Sequence, residues 1–219
     1  MVAPFCSGRL NPMIRGKAQQ SIVILTLQIL YDAWPATAAD SRVNCDSKED
    51  SITDVLRWKM SEAKNRLDPI PQMRFERESQ SDRTQQDTPT GLIDIMVSYT
   101  WDESNYLTME CKRVRSDENS LALAYVRNGV NRFASGKYAP GHAFGIVVGY
   151  VICSNPAGCV ERVRAALEKE PAVDSGFDAK HGWQSDKRLL AASNLYRTRH
   201  TQKALKNHIQ LLHSFHSMI

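Results

Sequence analysis

The chain has 219 residues, 42% of them hydrophobic, enough to bury one good core and with nothing to suggest two independent domains or general disorder. Its formal net charge of +4 is too small to establish a nucleic-acid partner, and its longest apolar run is far shorter than the roughly 20 residues of a membrane span. The five cysteines, Cys6, Cys45, Cys111, Cys153 and Cys159, are odd in number and form no CxxC pair, which argues against a disulfide framework and against structural zinc. Cys111 and Cys153 lie in apolar strand patterns and read as buried reduced thiols of a cytoplasmic protein.

Arg15 and Lys17 precede the apolar run 22–30, and Ala36-Thr37-Ala38 imitates the end of a secretory signal. Thr26, Gln28 and Asp32 interrupt the imitation, and Trp34-Pro35 is bulky beside the supposed cut. Ile22, Leu25, Ile29 and Ala33 share one helical stripe, with Ile24, Leu27 and Tyr31 beside it, so the segment reads as a buried N-terminal helix. Asp46-Ser47 can cap a second helix from about Lys48 to Leu67, whose stripe is Ile52, Leu56, Met60, Ala63 and Leu67 and which Pro69 and Pro71 end. A short strand over 72–77 and a polar loop over 78–90 follow.

The stretch from Gly91 to Arg113 holds two apolar runs, 93–99 and 105–112, around the polar connection Trp101-Asp102-Glu103-Ser104, the pattern of a β-hairpin. A loop centred near Asp102 sets Asp94 opposite Glu110. Alternation then places Asp94, Met96, Ser98, Thr108, Glu110 and Lys112 on one face, with Ile93, Ile95, Val97, Leu107, Met109 and Cys111 on a core face. An aspartate, a glutamate and a lysine are thereby gathered within a few ångströms.

After the hairpin, a helix is expected over 117–135, with Gly136 placed to stop it. Residues 144–152 are apolar on both faces and read as a central strand. Residues 156–170 form an amphipathic helix. Late strands are expected over 188–196 and 208–215, although Leu205, Ile209 and Leu212 also fit a helix. Between His181 and Ile219 six basic residues, Lys187, Arg188, Arg197, Arg199, Lys203 and Lys206, face only Asp186, and five of the six histidines lie there too.

This order of helix, three strands, helix and strand, with Ile93-Asp94 and Glu110-Cys111-Lys112 on the second and third strands, resembles the PD-(D/E)XK, or restriction-endonuclease-like, superfamily. The resemblance covers about 48–152 of a single domain, with 1–47 as a helical extension and 153–219 as a C-terminal elaboration. Tyr125-Val126, Gly129, Arg132-Phe133 and Gly136-Lys137-Tyr138, followed by Gly149-Tyr150-Val151, are similar to the pattern of uncharacterised bacterial members, some found among phage-defence systems. Two departures stand out: Ile93 occupies the place of the motif proline, and Leu121 stands four before Tyr125, where one subgroup carries glutamine.

The resemblance implies an α/β restriction-endonuclease-like fold and an Mg²⁺- or Mn²⁺-dependent endonuclease acting on nucleic acid, with DNA favoured over RNA. Phosphodiester hydrolysis needs an activated water and relief of the charge that builds on the phosphate. Mg²⁺ takes oxygen ligands, so Asp94, Glu110 and the backbone carbonyl of Cys111 would suffice for one ion. Lys112, as the resemblance implies, would orient or help deprotonate the water and stabilise developing charge. The resemblance also calls for a third acid on the preceding helix, a further metal ligand, and the helical period selects Glu49, on the stripe facing the sheet, over Asp50, which aligns with Asp54 and Arg57.

Substrate phosphates would be met by Arg113 and Arg115 beside the site, Arg127, Asn128 and Arg132 on the following helix, and Arg197 and Arg199 in the basic segment. No membrane partner is expected; a homodimer or an activating partner protein is compatible with the sequence. GxxxxGK[ST] is absent, so the chain carries no nucleotide-binding P-loop of its own. Two other readings remain: a nucleic-acid-binding module on the same fold without turnover, and a structural or interaction protein whose hairpin has a solvated charged face.

Overall fold

The computed structural model describes residues 12–80, 92–100, 105–188, 194–202 and 205–218. The hairpin connection 101–104, most of the polar loop and Lys203 lie outside the described residues. Helix α1 (Pro12–Ala38) packs on the sheet through Val23, Leu27, Leu30 and Trp34, at i, i+4, i+7 and i+11, with Thr26, Ile29, Ala33 and Thr37 beside them. The buried stripe is thus turned from the expected one, leaving Ile22 and Leu25 half-buried at its margin. Trp34 fixes the helix: its Nε1 donates to the Ser217 carbonyl at 2.8 Å, and its ring stacks on Tyr150 at 5.7 Å. Among the described residues no helix is long and apolar enough to cross a membrane.

Helix α2 (Glu49–Asn65) lies on the same face and buries Ile52, Val55, Leu56, Met60 and Ala63. Its cap position is Lys48, without a side-chain cap bond, because the Ser47 hydroxyl accepts instead from the Asn44 N–H at 2.9 Å. The strands are β1 (Arg74–Gln80), β2 (Leu92–Ser98), β3 (Tyr106–Val114), β4 (Phe144–Ile152), β5 (Gln184–Ser185), β6 (Leu195–Gln202) and β7 (Asn207–Met218). β1 begins and ends later than expected and takes in 78–80 of the supposed loop. β6 likewise starts at Leu195 rather than near Arg188, and the last segment is strand, not helix.

One mixed sheet runs β1-β2-β3-β4-β7-β6-β5. β3, β4 and β7 are mutually parallel at its centre, and antiparallel strands complete both sides. The β2–β3 register pairs Ile95 with Met109 and Val97 with Leu107, and continued one step it sets Asp94 opposite Glu110.

The sheet is buried on both faces, which corrects the expectation that the hairpin has a single core face. Ile95, Val97, Leu107, Met109 and Cys111 join Ile146, Val148 and Tyr150 under α1 and α2. Met96, Tyr106, Val114, Val147 and Val151 pack beneath the second helical layer, and so does Ile93, which departs from the face of Ile95. β4 alternates between the two cores along its length, as a central strand must. The second layer is α3 (Asn119–Tyr125), a π-helical segment (Val126–Val130) and α4 (Asn131–Ala134), then α5 (Pro156–Lys169) and the short α6 (Ala172–Ser175). The helix expected over 117–135 therefore contains a π-helical turn, and Gly136, at φ 80°, follows its end.

The cysteines overturn another expectation. Cys45 and Cys153 form a disulfide with Cα atoms 5.7 Å apart, linking the loop before α2 to the end of β4, so Cys153 is not a reduced buried thiol. The two partners are 108 residues apart, and no local spacing reveals such a pair. Cys111 and Cys159 are buried free thiols.

Candidate functional site

The β2–β3 ladder reaches as far as Ile95 and Met109. One residue further, the Asp94 carboxylate takes the place of a backbone partner, its Oδ2 accepting the Cys111 N–H at 2.8 Å. The Asp94 carbonyl is engaged on the other side by the Arg77 guanidinium at 3.2 Å. Opposite, β3 directs Glu110 and Lys112 toward the π-helical segment, while Cys111 points into the first core. A Cβ added at Gly129 would lie 3.5 Å from Lys112 Cγ and 3.8 Å from Glu110 Cγ, at ordinary contact distance, so the π-helical segment lies directly over the site.

The Lys112 ammonium occupies the middle of the site. Nζ lies 2.6 Å from Glu49 Oε1, 2.8 Å from Glu110 Oε1 and 3.7 Å from Asp94 Oδ2, and it donates to the Cys111 carbonyl at 2.7 Å. Glu49 bridges the two layers: its Oε2 also accepts the Arg113 N–H at 3.1 Å. Asp50 points away, 78% exposed and 3.8 Å from Arg77. Asp94, Glu110, Lys112 and Glu49 are therefore one cluster, and Asp50 is outside it.

Glu110 is fully buried. Its Oε1 is shared by Lys112 and by Arg132 Nη1 at 2.9 Å, while its Oε2 has no partner. Burial, reinforced by the Asp94 charge, pushes the Glu110 carboxyl up to about 8 against the pull of Lys112 and Arg132. For Lys112 burial acts downward, but Glu110, Asp94 and Glu49 together hold the ammonium above its ordinary value. Lys112 thus stays charged, while burial favours the protonated form of Glu110.

Sequence reasoning missed Tyr138. Its hydroxyl accepts from Arg132 at 2.7 Å and donates to the Leu92 carbonyl, and the Arg132 guanidinium lies over its ring at 5.3 Å from the centroid. Arg132, expected to meet phosphate, instead braces Glu110 against Tyr138 and the start of β2. The Tyr138 hydroxyl is pushed up to about 12 by burial and by Glu110. The local signals are the Gly136 stop and the place of Tyr138 in the pattern Arg132-Phe133, Gly136-Lys137-Tyr138, neither of which gives the hydroxyl a role.

The other expected cations are engaged elsewhere. Arg113 donates to the Ser47 carbonyl at 2.9 Å, Arg115 to Asp117 at 3.0 Å and Arg127 to Glu170 at 2.8 Å. Asn128 is exposed. Arg197 and Arg199 lie on β6, three strands from β3, and are not brought to the cluster.

The donor types suit a hard divalent cation: two carboxylates converge with a backbone carbonyl, and one buried carboxylate oxygen lacks a partner. As arranged, however, the ammonium fills the space between them, and among the described residues no group of three or more His, Cys, Asp and Glu is placed to hold a metal ion. A cation could share Asp94, Glu110 and the Cys111 carbonyl only if the flexible Lys112 side chain withdrew. No family model, no curated protein and no solved structure matches the chain.

Proposed function

We propose that this chain is a metal-dependent nuclease of the restriction-endonuclease-like kind, acting on phosphodiester bonds and most readily on DNA. The observation that carries the reading is the convergence of Asp94, Glu110, Glu49 and Lys112 where β2 and β3 part, around an unpartnered buried carboxylate oxygen. Asp94, Glu110 and the Cys111 carbonyl would hold Mg²⁺ or Mn²⁺, which when bound would neutralise phosphate charge and lower the pKa of a water. Glu49 would hold Lys112 in reach of that water, and Lys112 would orient it and offset developing negative charge. Arg132, braced by Tyr138, would fix the Glu110 rotamer.

A second reading is favoured by the position of Lys112. An ammonium already bonded to two carboxylates and a carbonyl can stand in for the cation, giving a nucleic-acid-binding module without turnover. Incubation with duplex DNA, single-stranded DNA and RNA, with and without Mg²⁺ or Mn²⁺, separates the two. Metal-dependent cleavage that Glu110→Gln abolishes supports the nuclease, whereas metal-independent binding without cleavage supports the module.

The compartment is tied to the disulfide. Reduced cysteines would point to the cytoplasm, whereas the Cys45–Cys153 bond fits an oxidising compartment better.

A further inference from the structure

Away from the carboxylate cluster, the middle of β6, the starts of β7 and β4 and the β5 segment line an open concavity of 390 Å³, within the roughly 300–1,000 Å³ typical of small-molecule sites. Arg197 and Arg199, two apart on β6, both line it, with His181, Gln184, His208 and Phe144. Among the described residues no aspartate or glutamate lines it. By register, Phe144 pairs with Gln210 and Gln210 with Arg199, so the cavity lies at the start of β4, while Glu110 pairs with Val147 three residues further along. With three interstrand spacings between β3 and β6, the two sites are about 17 Å apart.

The positive charge at this cavity is poorly neutralised. Arg197 Nε donates to Gln184 Oε1 at 3.0 Å and Arg199 Nη1 lies 3.2 Å from His181 Nε2, both uncharged acceptors when the imidazole is neutral. His181 is oriented for this by Asp178, 2.7 Å from its Nδ1. Arg188, whose amide-bound guanidinium touches the lining residue Gln210, leaves Nη1 buried and unpartnered and has its pKa lowered by burial and by Arg197. Asp186, 3.1 Å from Arg188 Nε, is the carboxylate that offsets Arg188. Two guanidiniums held by neutral acceptors on the wall of one concavity keep donors for an incoming anion, and planar guanidinium forks match phosphate oxygens.

We propose that this cavity is a phosphate-binding site, separate from the carboxylate cluster, for a phosphate carried by a small molecule or by the end of a nucleic-acid strand. The test is calorimetric titration of the full chain in EDTA with inorganic pyrophosphate, and in parallel with a short oligonucleotide bearing or lacking a 5′-phosphate. EDTA removes any metal contribution, so failure of the nuclease reading leaves this result intact. Saturable pyrophosphate binding that R197Q/R199Q weakens at least tenfold, while the control R74Q/R164Q does not, supports the site. Binding of the phosphorylated oligonucleotide alone, lost in the same variant, also supports it and assigns the phosphate to a strand end. Arg197→Lys, which keeps charge without the fork, provides a milder variant should the double one not fold. No binding of either ligand by the wild type, or equal binding by wild type and the Arg197 and Arg199 variants, overturns it.

Discussion

The Asp94 carboxylate accepts the backbone N–H of Cys111 at 2.8 Å, so a side chain of β2 stands in the ladder where a main-chain carbonyl of that strand would otherwise stand. This bond fixes the spacing between β2 and β3 that Lys112 fills. Asp94→Ala leaves the Cys111 N–H without its partner at a cost of about 1–3 kcal/mol, whereas Asp94→Asn can keep the bond through its amide oxygen. Both variants are expected to lose metal-dependent cleavage, but only the alanine should melt markedly lower. Equal melting temperatures for the two would show that the bond does not hold the strands.

Glu49 and Asp50 are neighbours with opposite settings, one bonded to Lys112 and Arg113, the other largely in solvent. Glu49→Gln should reduce cleavage strongly and let Lys112 titrate at lower pH, while Asp50→Asn should stay within about 0.5 kcal/mol of wild-type stability and keep full activity. Kinetics and denaturant melts on the pair decide it; a larger loss of activity from Asp50→Asn would remove Glu49 from the site.

Both carboxylates of the hairpin, the lysine and the helical glutamate were legible because each depends on a local period: two along β2 and β3, and 3.6 along α2. The central strand β4 was legible from its unbroken apolar run. The Arg132–Tyr138 brace was not, since it joins a helix to the strand opening at Leu92 through a tertiary contact that no spacing encodes. The disulfide was hidden for the same reason. The stripe of α1 was misplaced because nearly every position from Ile22 to Leu30 is apolar, and only packing against β7 and Tyr150 selects among them.

Three buried histidines should make stability fall in acid. His200 Nδ1 faces the Ser175 carbonyl at 2.7 Å and must donate to it, so its Nε2 accepts from Thr198, which then accepts from His213 Nε2, leaving His213 Nδ1 to accept from Tyr125. A proton added to His200 Nε2 breaks this chain, because Thr198 Oγ then faces two N–H donors, whereas one added to His213 Nδ1 turns the Tyr125 hydroxyl to the Val147 carbonyl at 3.2 Å. Burial lowers His200 to about 4, His216 to about 3 and His213 well below its usual value. Below about pH 6.5 the unfolded chain binds protons that the native histidines refuse, each contributing up to about 1.4 kcal/mol per pH unit. Glu110, raised to about 8, acts in the opposite sense between about pH 8 and 4.5. The melting temperature should therefore drop between pH 6.5 and 5, and more steeply in Glu110→Gln. A flat profile would refute the neutral network.

The disulfide closes 108 residues and anchors the loop that delivers Glu49. Cys45→Ser/Cys153→Ser should lower stability by about 2–4 kcal/mol in urea melts, with β-sheet circular dichroism retained. Unchanged stability would mean that the loop is held by other contacts, the Arg113 bond to the Ser47 carbonyl foremost among them.

Whether a divalent cation can enter against Lys112 is the central claim, and Mn²⁺ binding to the wild-type chain, measured calorimetrically at pH 8 beside Glu110→Gln and Lys112→Met, tests it most directly. Saturable binding that Glu110→Gln weakens at least tenfold and Lys112→Met preserves or strengthens is the predicted result. No Mn²⁺ binding by the wild type, or binding indifferent to Glu110, would contradict a metal centre at this site.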